Sequence, residues 1–127
     1  MTWRTEYLAN LINVVEGDSP IDNREFLALC EIEREIRAKI DDYIAASNRL
    51  PTDPPLHPFE NQLLNERQLV DLFTLAMADR KLSELELDAI QRFAEQAKLP
   101  PHIIAACRED GHKKAKEIYD EVVNQHQ

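Results

Sequence analysis

Six apolar residues, Leu8, Leu11, Ile12, Val15, Phe26 and Leu29, are answered at one constant offset of 61 positions by Leu69, Leu72, Phe73, Ala76, Leu87 and Ile90. Each set falls at three- and four-residue spacing, which places it on one face of an α-helix. A helix-loop-helix unit with one apolar stripe cannot bury that stripe alone. Two such units in one chain therefore predict two copies packed face to face through a pseudo-symmetric core. The segment between the helices repeats as well. "GDSPIDNRE", residues 17–25, lies over "ADRKLSELE", residues 78–86, setting Asp18 over Asp79, Ile21 over Leu82, Asp22 over Ser83 and Glu25 over Glu86.

With only two glycines in 127 residues, the chain lacks the turn residues that sheets consume, and its Leu, Ile, Ala and Glu favour helix. The expected class is all-α: one domain over residues 1–127, a compact bundle of about six helices. The first unit covers about 3–47, a connector with prolines at 51, 54, 55 and 58 covers 48–58, and the second unit with the C-terminal helices covers 59–127. Proline has no amide hydrogen to donate and blocks continued helix, so the connector reads as extended.

The first helix is expected from Trp3 to Glu16, with Tyr7 on its apolar face. A long second helix starts near Asp22 and runs on through Ile32, Ile36, Ile40, Tyr43 and Ile44. The third starts at about Asn65. The fourth starts at Ser83, turns Phe93, Ala94 and Ala97 inward, and stops at Leu99. A short fifth spans about Pro101–Glu109 and is closed by Gly111, and a sixth buries Ala115, Ile118, Tyr119 and Val122.

Within the repeated segment most positions have a structural role. Ile21 and Leu82 precede an N-cap as a hydrophobic staple does. Asp22 and Ser83 cap, and Glu25 and Glu86 complete capping boxes at the positive end of the helix dipole, each role worth about 1 kcal/mol. Asp18 and Asp79 differ, because they fall at or just past a helix C-terminus, where the dipole disfavours a carboxylate. Either each bonds amides of its own turn, or Asp18, Asp22, Glu25, Asp79 and Glu86 gather as hard oxygen donors for calcium or magnesium. The twelve-residue calcium-loop pattern is absent, since the third position from Asp18 is Pro20 and the twelfth is Leu29.

"LVDLFTLAMADRKLSELELDAIQRFAEQAKLP", residues 69–100, resembles the TerB-like tellurite-resistance proteins and the related N-terminal domains of membrane-anchored DnaJ-type cochaperones. Ala78, Asp79, Leu82, Ser83, Glu86, Ile90 and Leu99 carry the resemblance, and "EGDSPIDNREFLAL" follows it more loosely. Ser19 and Arg80 stand where the family pattern has glycine after the aspartate. The resemblance implies a helical bundle of repeated units whose clustered acidic residues are candidate metal ligands, in a bacterial stress-response and metal-resistance setting.

Other classes of function find less footing. A formal net charge of −9 opposes nucleic-acid binding, which needs clustered Lys and Arg. No apolar run reaches the ~20 residues of a membrane span, and "MTWRTEYLANL" lacks the pattern of a signal peptide, so the expectation is a cytoplasmic protein. Cys30 and Cys107 stand alone and read as small core residues. His57, His102, His112 and His126 lack metal-pair spacing and read as surface or helix-end residues. The charge run at 31–37 reads as a solvated face, and Lys113, Lys114 and Lys116 form a small basic cluster open to an anionic partner or membrane surface. No catalytic constellation or predicted pocket points to an enzyme. The leading expectation is a non-enzymatic, stress-response type of module acting through protein partners, with a divalent cation in its acidic loops. The alternative is a metal-free structural or adaptor domain that uses Tyr43 and Ile44 to dimerise or dock a partner helix.

Overall fold

The computed structural model describes residues 3–16, 22–49, 56–78 and 83–125. They form six helices, α1 (Trp3–Glu16), α2 (Asn23–Glu35), α3 (Ile40–Ser47), α4 (Gln62–Met77), α5 (Glu84–Gln96) and α6 (Pro101–Gln125). The all-α bundle expected from the sequence is the observed fold. Tyr7, Leu8, Leu11 and Ile12 of α1, Leu69, Leu72, Phe73 and Ala76 of α4, and Ile90, Phe93 and Ala94 of α5 belong to one continuous core. α1 and α4 lie at its centre and pack on each other; α2 and α6 each also contact α4, and α3 and α5 each also contact α1.

The helix ends follow local chemistry. Asp22 accepts the Glu25 amide at 2.8 Å while the Glu25 carboxylate accepts the Asp22 amide at 3.2 Å, a complete capping box at the start of α2. Ser83 accepts the Glu86 amide at 3.1 Å and donates its hydroxyl to the Glu86 carboxylate at 3.0 Å. α5 and α2 end alike. Arg37 and Lys98 both take φ 58, the left-handed conformation. The amide of Ala38 reaches the Glu33 carbonyl at 2.9 Å and that of Leu99 reaches Ala94 at 3.1 Å, the wrapped C-terminus usually built on glycine.

Three expected boundaries are corrected. The long second helix is two helices, because the turn at Arg37 breaks it between Glu35 and Ile40. The expected fifth and sixth helices are one, α6, with Gly111 inside it. Gly111 terminates nothing; it lets α6 approach α4. A Cβ added there would lie 2.6 Å from the Phe73 Cβ, 2.8 Å from the Val70 carbonyl oxygen and 3.0 Å from the Thr74 amide nitrogen. α4 itself starts at Gln62, earlier than expected, because Asn61 caps it by accepting the Leu64 amide at 3.1 Å.

The end of the connector is held by two asparagines that do what proline cannot. Asn10 accepts the His57 amide and donates to the His57 carbonyl, both at 3.0 Å. Asn65 accepts the Phe59 amide at 2.7 Å and donates to the Phe59 carbonyl at 2.8 Å. Both side chains are buried, so these paired bonds satisfy amide groups that would be costly to leave unpaired.

Alanine is the better helix former by about 1 kcal/mol, so an exposed helical Gly111→Ala would stabilise. Here the backbone contacts at 2.8 and 3.0 Å cannot relax cheaply, and the expected result is a net loss of about 1–3 kcal/mol, read as a lowered urea midpoint at unchanged m-value.

Candidate functional site

Of the five acidic residues expected to gather, three can be placed. Asp22 is exposed at the start of α2, and Glu25 and Glu86 are buried at the starts of α2 and α5. Their carboxylates serve the capping bonds described above, which accounts for them without a metal. Asp18 and Asp79 lie outside the described residues. Among the described residues no group of three or more His, Cys, Asp or Glu side chains is placed to hold a metal ion.

The most deeply buried carboxylate among the described residues lies elsewhere. Asp71, in the middle of α4, is 1% exposed. It accepts a short hydrogen bond from the Tyr7 hydroxyl of α1 and a bond from Lys114 Nζ of α6 at 2.7 Å. Lys114 also meets Glu35 of α2 at 2.5 Å. Burial pushes the Asp71 carboxyl upward, with Lys114 and Tyr7 opposing that shift. Burial pulls Lys114 down, but Asp71 and then Glu35 more than reverse it, and its net shift is upward. The Tyr7 phenol is pushed far above its ordinary value by burial and by the adjacent Asp71 carboxylate. The lysine cluster expected on the surface is thereby corrected: Lys114 turns inward, leaving Lys113 and Lys116 exposed.

Beside this cluster Asn10 donates to Gln68 at 3.0 Å, and Gln68 donates to the Tyr7 carbonyl at 3.4 Å. The polar contacts between α1 and α4 thus form a short ladder, Tyr7 to Asp71 and Asn10 to Gln68. Sequence reasoning treated α1 and α4 as one-sided stripes, placed Tyr7 on one of them without a polar partner, and missed Asn10, Gln68 and Asp71. The signal available was that Asn10, Gln68 and Asp71 lie beside core positions of both helices.

A concave surface among the described residues lies over α6. A groove of about 780 Å³ is lined among the described residues by Met77 and Ala78 from the end of α4 and by Ala105, Arg108, Glu109, His112, Ala115, Lys116 and Tyr119 of α6. Those α6 positions recur at helical spacing and form one face. A smaller pocket of about 160 Å³ shares Ala78, Ala115 and Tyr119 and adds Arg24, Leu27, Ala28 and Ile118, continuing the groove toward α2. Arg24 stacks over the Tyr119 ring at 4.8 Å and ties α2 to α6 there. Nothing in the sequence reading foresaw this groove, because it needs α6 to be continuous through Gly111.

The two cysteines separate. Cys107 is buried against α4, with its thiol 3.6 Å from the Glu66 carbonyl, and burial pushes it up to about 11. Cys30 is exposed rather than in the core. His102 and His112 are exposed on α6 and His57 is half-buried. No helix among the described residues is long and apolar enough to cross a membrane. No protein-family model, curated protein or solved structure matches the chain.

Because the native Tyr7 phenol holds its proton while the unfolded one releases it near pH 10.0, its contribution to stability is complete below that pH. It is lost as pH rises above it toward the raised native value. Of the three tyrosines, Tyr7 is therefore expected to ionise only with unfolding, as a delayed step in the tyrosinate absorbance that Tyr7→Phe abolishes. A native titration in which Tyr7 ionises near pH 10.0 with the fold intact would contradict this placement.

Proposed function

We propose that this chain is a non-enzymatic protein-interaction module of the TerB-like, stress-response kind, and that it acts through the groove over α6. The observation that carries the reading is the groove itself. It is a concave, largely apolar surface with a charged rim, the usual form of a site for another molecule. The chemically distinctive groups, Tyr7, Asp71 and Lys114, are closed on one another inside the bundle and are not in the groove lining, which favours recognition over catalysis.

The two-unit construction implied by the TerB-like resemblance gains support from the helix bounds. α5 starts and ends 61 positions after α2, α6 starts 61 after α3, and α4 ends 61 after α1. The resemblance extends to cation binding only through Asp18 and Asp79. Calorimetric titration with calcium, magnesium and manganese decides that part: heat that disappears in an Asp18→Asn, Asp79→Asn double variant supports an acidic-loop site. No heat and no shift in Tm leave protein interaction alone.

A second reading is favoured by α3, where Ile40 is 76% and Ile44 49% exposed; an apolar strip of that kind suits self-association. The two are separated by photocrosslinking in cells from a reactive residue placed at Ala105, at Ile44, or at exposed Gln91 as a control. Discrete adducts are expected from Ala105. Adducts from Ile44 at the mass of a dimer, with none from Ala105, would replace the groove reading with the α3 one.

A further inference from the structure

We propose, resting on the interaction reading above, that the groove over α6 receives an acidic amphipathic helix of a partner protein. The lining favours a helix. Along α6 from Ala105 to Tyr119 the wall runs about 20 Å at 1.5 Å per residue, room for about four helical turns. The small side chains Ala78, Ala105 and Ala115 permit the close backbone approach that helix-in-groove docking uses.

Charge selects the kind of helix. In a chain of net charge −9, this groove is bordered by Arg108 and Lys116, with Arg24 in its continuation. The one carboxylate among the described lining residues, Glu109, already faces Lys113 at 3.8 Å. The described rim is thus net positive on a negative molecule, which steers and orients an acidic ligand and disfavours a basic one. A flat anionic membrane would meet the same charges, but it could not fill a concave wall between the end of α4 and α6.

The test uses the full chain, labelled for NMR, and three synthetic peptides that share one leucine stripe and carry a glutamate, lysine or glutamine polar face. Vesicles of phosphatidylserine and phosphatidylcholine form a fourth arm. The glutamate peptide is expected to shift amides of residues 105–119 and of Met77 and Ala78. Arg108→Glu with Lys116→Glu, both exposed positions, should weaken it by about tenfold or more and admit the lysine peptide instead. Ala105→Trp, also at an exposed position, should block both; a circular dichroism spectrum and Tm like the wild type's show that the variants fold.

Equal binding of the glutamine and glutamate peptides at these amides would overturn the acidic selectivity while leaving the interaction reading intact. Perturbation by vesicles alone, or by no arm at all, would overturn both. Glutamate-peptide binding unchanged by Ala105→Trp would remove the groove as the site.

Discussion

The carboxylate of Asp71 is the point on which the helix arrangement turns. Taking a carboxylate to 1% exposure costs several kcal/mol unless partners replace the lost water. Here the partners come from three other helices: Tyr7 from α1, Lys114 from α6 and, through Lys114, Glu35 from α2. Apolar stripes alone would tolerate a turn of rotation or a slide of one helix on another. Bonds of fixed direction to one buried acceptor do not, so the cluster selects one register for four helices. Its contribution to net stability is smaller than its contribution to uniqueness, because pairing mainly offsets the cost of burial.

The 61-position offset reaches into this interface. It relates Tyr7 to Gln68 and Asn10 to Asp71, so the partners of the Tyr7–Asp71 contact stand 61 positions from the partners of the Asn10–Gln68 contact. One contact is neutral and needs nothing further. The other holds a carboxylate and needs a cation, which the extended second half brings in as Lys114.

Much of the fold was legible because it rests on period and capping. Leu8, Leu11 and Ile12, Leu69, Leu72 and Phe73, and the caps Asp22 and Ser83 stand where spacing and N-cap chemistry put them. What was not legible has two physical causes. Arg37 ends α2 in a left-handed conformation without the glycine or proline that would announce it, because the wrapped hydrogen bonds of Ala38 and Arg37 onto Glu33 and Arg34 compensate. The repeat itself held the clue, since Lys98, its counterpart, stands before two prolines. Gly111 misled for the opposite reason: glycine signals both a helix end and a close helix approach, and only the facing residues Val70, Phe73 and Thr74 tell which. Asp22, Glu25 and Glu86 were legible as capping residues, and the groove was not legible at all.

That groove is where the two units stop matching. α3 and α6 begin at equivalent positions, but α3 ends after 8 residues and α6 continues to 25. The part of α6 beyond the repeat carries Gly111, which seats it on α4, Lys114, which completes the Asp71 cluster, and Ala115 to Tyr119, which wall the groove. One extension therefore performs two tasks: its inward face neutralises the buried carboxylate and its next face presents a cationic, apolar concavity. Both faces belong to one helix, so Lys114 at the buried carboxylate and Lys116 and Tyr119 at the groove share one stretch of backbone. The asymmetric extension is thus where the proposed partner site and the buried cluster share one element.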